Sequence, residues 1–136
     1  MKMKKILLWI WQLPQNLIGL CVVLFMDCIR IEVDGMSDYW TDGKFENEIG
    51  VCLGDFIIMT GVITKATYNH ERGHQKQSRL LGWLYLPLIG LPSALGNLWD
   101  RYMHKNWTQV ERYIWYYSQP WEKWADRLGG VWRIFQ

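Results

Sequence analysis

Two stretches without a single formal charge, residues 6–26 and 80–99, divide this chain and most constrain what it folds into. Each has about the length of a helix that crosses a hydrocarbon core, yet neither reads as a plain span. The first follows Lys2, Lys4 and Lys5 and is interrupted by Gln12, Pro14, Gln15 and Asn16. A secretory signal competes for it, but the polar residues break the apolar run and no small-residue cleavage site follows Phe25. It therefore reads as a retained N-terminal anchor helix, kinked or interfacial, with the lysines on the cytoplasmic side. The second run lies between Arg79 and Asp100 and contains Gly82, Pro87, Gly90, Pro92 and Gly96. Such residues sit in a spanning helix only where neighbours satisfy the freed backbone groups, and Pro92 biases Leu91 away from helix. Two short helices broken near Gly90 and Pro92, or one kinked span, are expected here. Trp83 and Trp99 near its ends suit interfacial anchors.

Between the runs the pattern changes. Ile29, Ile31 and Val33 alternate with Arg30, Glu32 and Asp34, the period of a half-exposed strand. Asp42 and Gly43 suit a hairpin turn. Residues 51–63 are rich in β-branched and aromatic side chains, with Gly50, Gly54 and Gly61 as turn or bulge points. A small antiparallel sheet is expected over residues 28–63. Residues 107–136 interleave tryptophan and tyrosine with charges. Pro120 opens a short C-terminal helix there, with Ser118 as a candidate cap, and Gly129 and Gly130 end it.

With 136 residues there is room for one domain. The expected class is α+β and membrane-associated, with membrane lipid as a partner. Ten tryptophans and seven tyrosines are far above ordinary usage and suit a boundary between apolar medium and water. A net charge of +2 offers no concentrated basic patch, which argues against nucleic acid as the main partner. Cys21, Cys28 and Cys52 have neither the even count of a disulfide framework nor a CxxC spacing. They read as buried thiols, with a Cys28–Cys52 bridge open in an oxidising compartment.

Chemistry is carried by His70-Glu71-Arg72-Gly73-His74, an HExxH motif. Histidines four apart on a helix project from one face and reach one metal ion. The carboxylate beside the first histidine is placed to take a proton from water whose pKa the metal lowers. Chance occurrence in a chain of this size is on the order of a few per thousand, so the motif carries weight by itself. In a helix over residues 63–81, Ile63, Thr67, His70, His74, Gln77 and Leu81 share one stripe, and Arg72, Lys76 and Arg79 lie roughly opposite. The histidines then point inward. Gly73 costs such a helix about 1 kcal/mol relative to alanine, which a close packing partner at that turn would explain. A catalytic zinc site needs a third protein ligand and an open position. The candidates are Glu122, Asp126, His104 and Asp100. Glu122 and Asp126 are four apart on the C-terminal helix, so one could bind metal while the other bonds a ligand histidine. A solvated charge pattern would explain both equally simply, and His104 among Arg101, Tyr102 and Lys105 suits a surface position.

His70, Glu71 and His74, followed by Glu122 and Asp126 in an ExxxD setting, resemble the gluzincin branch of the zincin metallopeptidases. That resemblance implies Zn2+ held by His70, His74 and Glu122, Glu71 as catalytic base, Asp126 behind a ligand, and a peptide or protein substrate. The segment HERGHQKQSRLLGWLYLPLIGLPS, residues 70–93, is also similar to a group of short bacterial membrane proteins, which implies a bacterial inner-membrane location. No substrate-pocket signature is present, and the chain is shorter than most zincin catalytic domains.

Topology restricts this reading. A straight crossing by residues 80–99 would leave Glu122 about 30 Å from the motif. Either that segment turns back near Gly90 and Pro92, or residues beyond Asp100 fold back, or Glu122 is not the ligand. The turn-back is the favoured expectation, and Asp126 as sole carboxylate ligand is the weaker one. Three functions are then in play: a membrane-associated zinc peptidase or hydrolase, a non-catalytic membrane protein with structural zinc, and an interaction module using the Trp-rich C-terminal region. Tyr68, Tyr116 and Tyr117 are candidate oxyanion partners in the first.

Overall fold

A computed structural model of the chain describes residues 2–33, 36–41, 50–61 and 64–136. The expected turn at Asp42 and Gly43, and Ile63 of the histidine stripe, lie outside the described residues. The class is α+β: helices α1 (Lys2–Trp11) and α2 (Leu13–Phe25), strands β1 (Ile29–Val33), β2 (Met36–Thr41), β3 (Gly50–Leu53) and β4 (Phe56–Thr60), then α3 (Lys65–Leu81), α4 (Leu91–Met103), α5 (Gln109–Tyr117) and α6 (Pro120–Gly129).

The first apolar run is not one straight helix. α1 and α2 meet at 91°, and among the described residues no single helix is long and apolar enough to cross a membrane. Pro14 lies in the first turn of α2 and has no N–H to donate back to the Ile10 carbonyl. The Trp83 indole donates to that carbonyl instead, at 3.0 Å. The polar residues that interrupt the run are fully buried and face inward. The Gln15 amide donates to Ser78 Oγ at 3.0 Å and to the Gly82 carbonyl at 2.8 Å. Gln12 Oε1 accepts from the same serine hydroxyl at 2.7 Å, and Asn16 Oδ1 accepts from the Asp55 N–H at 2.8 Å. Because buried amides need partners, α2 is tied to the end of α3 and to the β3–β4 turn, while Leu17, Leu24 and Phe25 on its other side stay exposed.

The sheet order is β1-β2-β4-β3. It is mixed rather than purely antiparallel. β1 with β2 and β3 with β4 run antiparallel, but β2 and β4 pair parallel, Tyr39 opposite Ile58. Gly54 closes the β3–β4 hairpin at φ +68°, where Asn16 Oδ1 would also lie 2.0 Å from an added Cβ. Cys52, Ile57 and Met59 form the small core with Tyr68 of α3. The three cysteines are free: Cys52 is buried and Cys28 partly so, whereas Cys21 is exposed, contrary to the expectation of three buried thiols.

The second apolar run does not turn back. Its break falls at Gly82, φ +55°, which caps α3. Beyond it the chain stays right-handed through a 3-10 turn (Gly82–Leu84) and a π-helical turn (Leu86–Gly90) into α4. In that π turn the Leu91 N–H bonds the Leu86 carbonyl five residues back. This wider turn makes room for the ring of Pro92, so proline re-spaces the helix without ending it. The reversal comes after His104. A capping box on Thr108 and Glu111 starts α5, and α6 follows to lie along α3. Ser118 does not cap α6; its hydroxyl donates to the Ile114 carbonyl at the end of α5. Gly130, at φ +72°, ends α6.

Candidate metal centre

α3 begins where Thr64 Oγ1 accepts the Thr67 N–H at 3.1 Å. One face of it then carries His70, Glu71, His74, Gln77 and Ser78 into the interior, all buried. Lys76 and Arg79 are exposed, whereas Arg72 is only partly so and donates to Tyr68 Oη and Gln75 Oε1. α6 reaches this face because both helices carry small residues at the crossing. A Cβ on Gly73 would lie 1.9 Å from the Ala125 carbonyl oxygen, and one on Gly129 would lie 2.0 Å from that of Asn69. No β-carbon fits at either point, so the glycine in the motif serves helix contact.

That contact delivers the carboxylates. Glu122 Oε2 lies 3.0 Å from His70 Nε2 and 3.0 Å from His74 Nε2. Asp126 Oδ1 lies 2.7 Å from His70 Nδ1. The two rings stand edge to face with centroids 4.7 Å apart. Of the four candidates for a third ligand, Glu122 and Asp126 are thus brought to the histidines. Asp100 and His104 pair with each other at 3.1 Å, and Arg112 bonds the second Asp100 oxygen.

The hydrogen bonds around the histidines decide which nitrogen carries the proton. The Gln77 amide donates to the Trp121 carbonyl at 2.9 Å, so its Oε1 is turned to His74 Nδ1, 2.7 Å away. An amide oxygen only accepts; His74 Nδ1 therefore donates. Asp126 imposes the same on His70. Both neutral rings then aim bare Nε2 lone pairs at Glu122 Oε2, itself an acceptor. Three buried lone-pair atoms converge on one point, and only a cation or added protons makes that arrangement favourable. As protons, the histidines become imidazoliums: burial lowers the His70 pKa, but the bonds to Asp126 and Glu122 outweigh it and raise it to about 9. His74 is likewise raised against its burial by Glu122. Burial opposes ionisation of Glu122, yet the two imidazoles hold it well below the usual carboxylate range. As a metal ion, one zinc with ligand atoms near 2.05 Å sets neighbouring donors about 3.3 Å apart in a tetrahedron, a few tenths of an ångström from the 3.0 Å separations here. His70, His74 and Glu122 offer two nitrogens and one oxygen to such an ion, and this donor set fits.

Glu71 is also buried and lies against β3, where a Cβ on Gly50 would meet its Oε1 at 2.6 Å. Its Oε2 has no hydrogen-bond partner among the described residues. Burial raises its pKa, with the His74 and His70 charges opposing, which moves a carboxyl toward the range of a proton acceptor at neutral pH. Several supporting residues were not singled out from sequence. Ser93 donates to Glu122 Oε1 at 2.6 Å and bonds Tyr116 Oη at 3.0 Å. Arg133 grips both oxygens of Asp126 at 2.6 and 2.9 Å, with Gln136 adding a bond at 2.7 Å. Gln77, three residues after His74, was a readable signal; Ser93 and Arg133 carried none. The Arg133 guanidinium lies 3.6 Å over the Tyr117 ring, which makes a T-shaped contact with His70. Of the candidate phenols, Tyr68 Oη accepts from Arg72, whereas Tyr116 Oη is linked to Glu122 through Ser93.

Comparison of the chain with known proteins finds no matching family model, no similar curated protein and no similar solved structure.

Proposed function

We propose that the protein is a membrane-associated zinc-dependent hydrolase, most simply a peptidase, with His70, His74 and Glu122 as ligands and Glu71 as general base. The observation that carries this is the convergence of His70 Nε2, His74 Nε2 and Glu122 Oε2 on one buried point, with both outer nitrogens already committed as donors. When bound, zinc would supply a Lewis acid that polarises a carbonyl and acidifies water. The chain's own part is positional. Asp126 and Gln77 hold the rings in one tautomer, Ser93 occupies the second oxygen of Glu122, and Glu71 takes a proton and returns it to the leaving group. Peptide or protein is the substrate class the HExxH arrangement favours.

The test compares zinc content and hydrolysis of a denatured protein substrate in the wild type, His74→Ala and Glu71→Gln. One zinc per chain is expected in the wild type, lost in His74→Ala. Glu71→Gln should keep the metal and lose at least 100-fold in rate. A Glu71→Gln protein that binds zinc and cleaves at the wild-type rate overturns the mechanism. A second reading, zinc held without catalysis, is favoured by the enclosure of the ligands, with His70 and His74 only 3% and 6% exposed. It predicts no hydrolysis in any variant and a cooperative loss of fold on chelation.

A further inference from the structure

We propose that the protein docks on an anionic phospholipid surface from one side, entering a single leaflet. It rests on the membrane-associated part of the reading above and not on its zinc chemistry, so zinc content in the same samples separates failure of the two.

The helix that follows Gly82 has two unlike faces. Tyr85, Ile89 and Asp100 are buried, and Ser93 between them bonds Glu122; this side walls the His–Glu cluster. Leu84, Leu88, Leu91, Leu95 and Leu98 recur every three or four residues on the other side, each at least half exposed. Leu7, Ile10, Leu17, Leu24 and Phe25 of α1 and α2 are exposed as well. The two apolar surfaces join where the Trp11 ring covers Gly82 and the Trp83 indole bonds Ile10. Soluble monomers rarely expose contiguous apolar patches of more than a few hundred Å², and larger ones mark protein or membrane contact sites.

Charge selects the occupant. Lys2, Lys4 and Lys5 are exposed beside this surface, and residues 1–26 and 80–99 hold no carboxylate. Of the acids that adjoin this surface, Asp55 is engaged with Gln12 and Arg79 and Asp100 with Arg112 and His104, while Asp27, just after α2 and at the other end of the helix pair from the lysines, is exposed. A second copy brought to the same face would offer three lysines one exposed carboxylate, Asp27, whereas anionic headgroups complement all three. The depth of insertion follows from helix lengths. α1 and α2, of 10 and 13 residues, span about 15 and 20 Å, and the 91° bend keeps the pair from forming one straight span of a ~30 Å hydrocarbon core. Gln12, Gln15 and Asn16 hold the N-terminal end of α2 against the polar body. One side of the molecule is therefore wet and the other in lipid.

The experiment is vesicle flotation of the full chain, diluted from detergent, on phosphatidylcholine alone or with 30 mol% phosphatidylglycerol. Binding should be about 100-fold tighter with the anionic lipid, salt-sensitive, and reduced to the neutral-lipid level in a Lys2, Lys4, Lys5→Gln variant. Leu91→Glu with Leu95→Glu should lower binding to both lipids at least tenfold while its circular dichroism stays that of the wild type. Sidedness is read in spheroplasts with a membrane-impermeant maleimide, using Met3→Cys or Ile134→Cys in a Cys21→Ser, Cys28→Ser background. Both positions should label from the same side. Equal binding to neutral and anionic vesicles, labelling from opposite sides, or dimerisation without vesicle binding would each overturn the proposal.

Discussion

Gly73, the fourth residue of the HExxH motif, faces the Ala125 carbonyl so closely that an added methyl group would lie 1.9 Å from that oxygen. The contact sets how far α6 sits from α3, and with it whether Glu122 reaches both histidines. Gly73→Ala should gain about 1 kcal/mol of helix propensity and lose more than that, because the obstacle is backbone and overpacking typically costs 1–3 kcal/mol or more. Denaturant unfolding of the metal-free protein should show net destabilisation, together with weaker zinc binding. A variant as stable as the wild type contradicts the close crossing.

Arg133 and Ser93 bond the carboxylates of the site, and their removal should read out as metal affinity. Arg133→Ala frees Asp126 from its bidentate partner and Ser93→Ala frees Glu122 Oε1. Each should lower zinc affinity about 10- to 100-fold, measured against a chromophoric chelator, with one zinc still bound at saturation. Arg133→Lys should recover only part of the loss, since a point charge cannot replace the paired bonds.

Stability without metal should depend on pH through the histidines. The folded His70 pKa, about 9, stands above its ordinary 6.5. The stabilisation it brings is thus fully present below pH 6.5 and lost as pH rises through 9, amounting to about 3 kcal/mol at most. Glu122 is shifted the opposite way, so its contribution fades only in strong acid; it is the same interaction seen from the other partner and counts once. Chemical denaturation in a chelator should show a decline between pH 6.5 and 9. Zinc displaces these protons, so its affinity should rise over that interval. A flat metal-free profile would contradict the paired histidines.

Gln15 tests how the first apolar run is attached. Gln15→Leu keeps the helix but leaves the Ser78 hydroxyl and the Gly82 carbonyl short of a donor, at a cost of about 1–3 kcal/mol. Limited proteolysis should then cut near Asp27 and Cys28, after α2, faster than in the wild type. Unchanged cleavage would show that α2 is held by its apolar contacts.

Local rules carried the residues of the site further than the route of the chain. Four-residue spacing puts His70 with His74 and Glu122 with Asp126 on single helix faces, and both pairs emerge that way. The alternation at Ile29 and Ile31 marks β1, and Gly130 ends α6 as a glycine after a helix does. The expected break at Gly90 and Pro92 was misplaced: a π turn absorbs Pro92, and the reversal falls beyond His104. Gln12, Gln15 and Asn16 look in sequence like interruptions of an apolar run and are what attach α2 to the rest of the chain, because only the folded state supplies Ser78 and Asp55 as partners.

Sequence alone determined which side chains share a face, since 3.6-residue and two-residue periods are properties of the backbone. It determined equally that two charge-free runs must be withdrawn from water or laid against something apolar. Only the tertiary structure decided that α6 lies on α3, that Glu122 rather than His104 or Asp100 meets the histidines, and that Arg133 and Ser93 stand behind the carboxylates. These contacts join residues 29 to 56 positions apart or sit behind a chain reversal. Their geometry depends on the absence of a β-carbon at Gly73 and Gly129, a steric fact that acquires meaning when a second helix arrives.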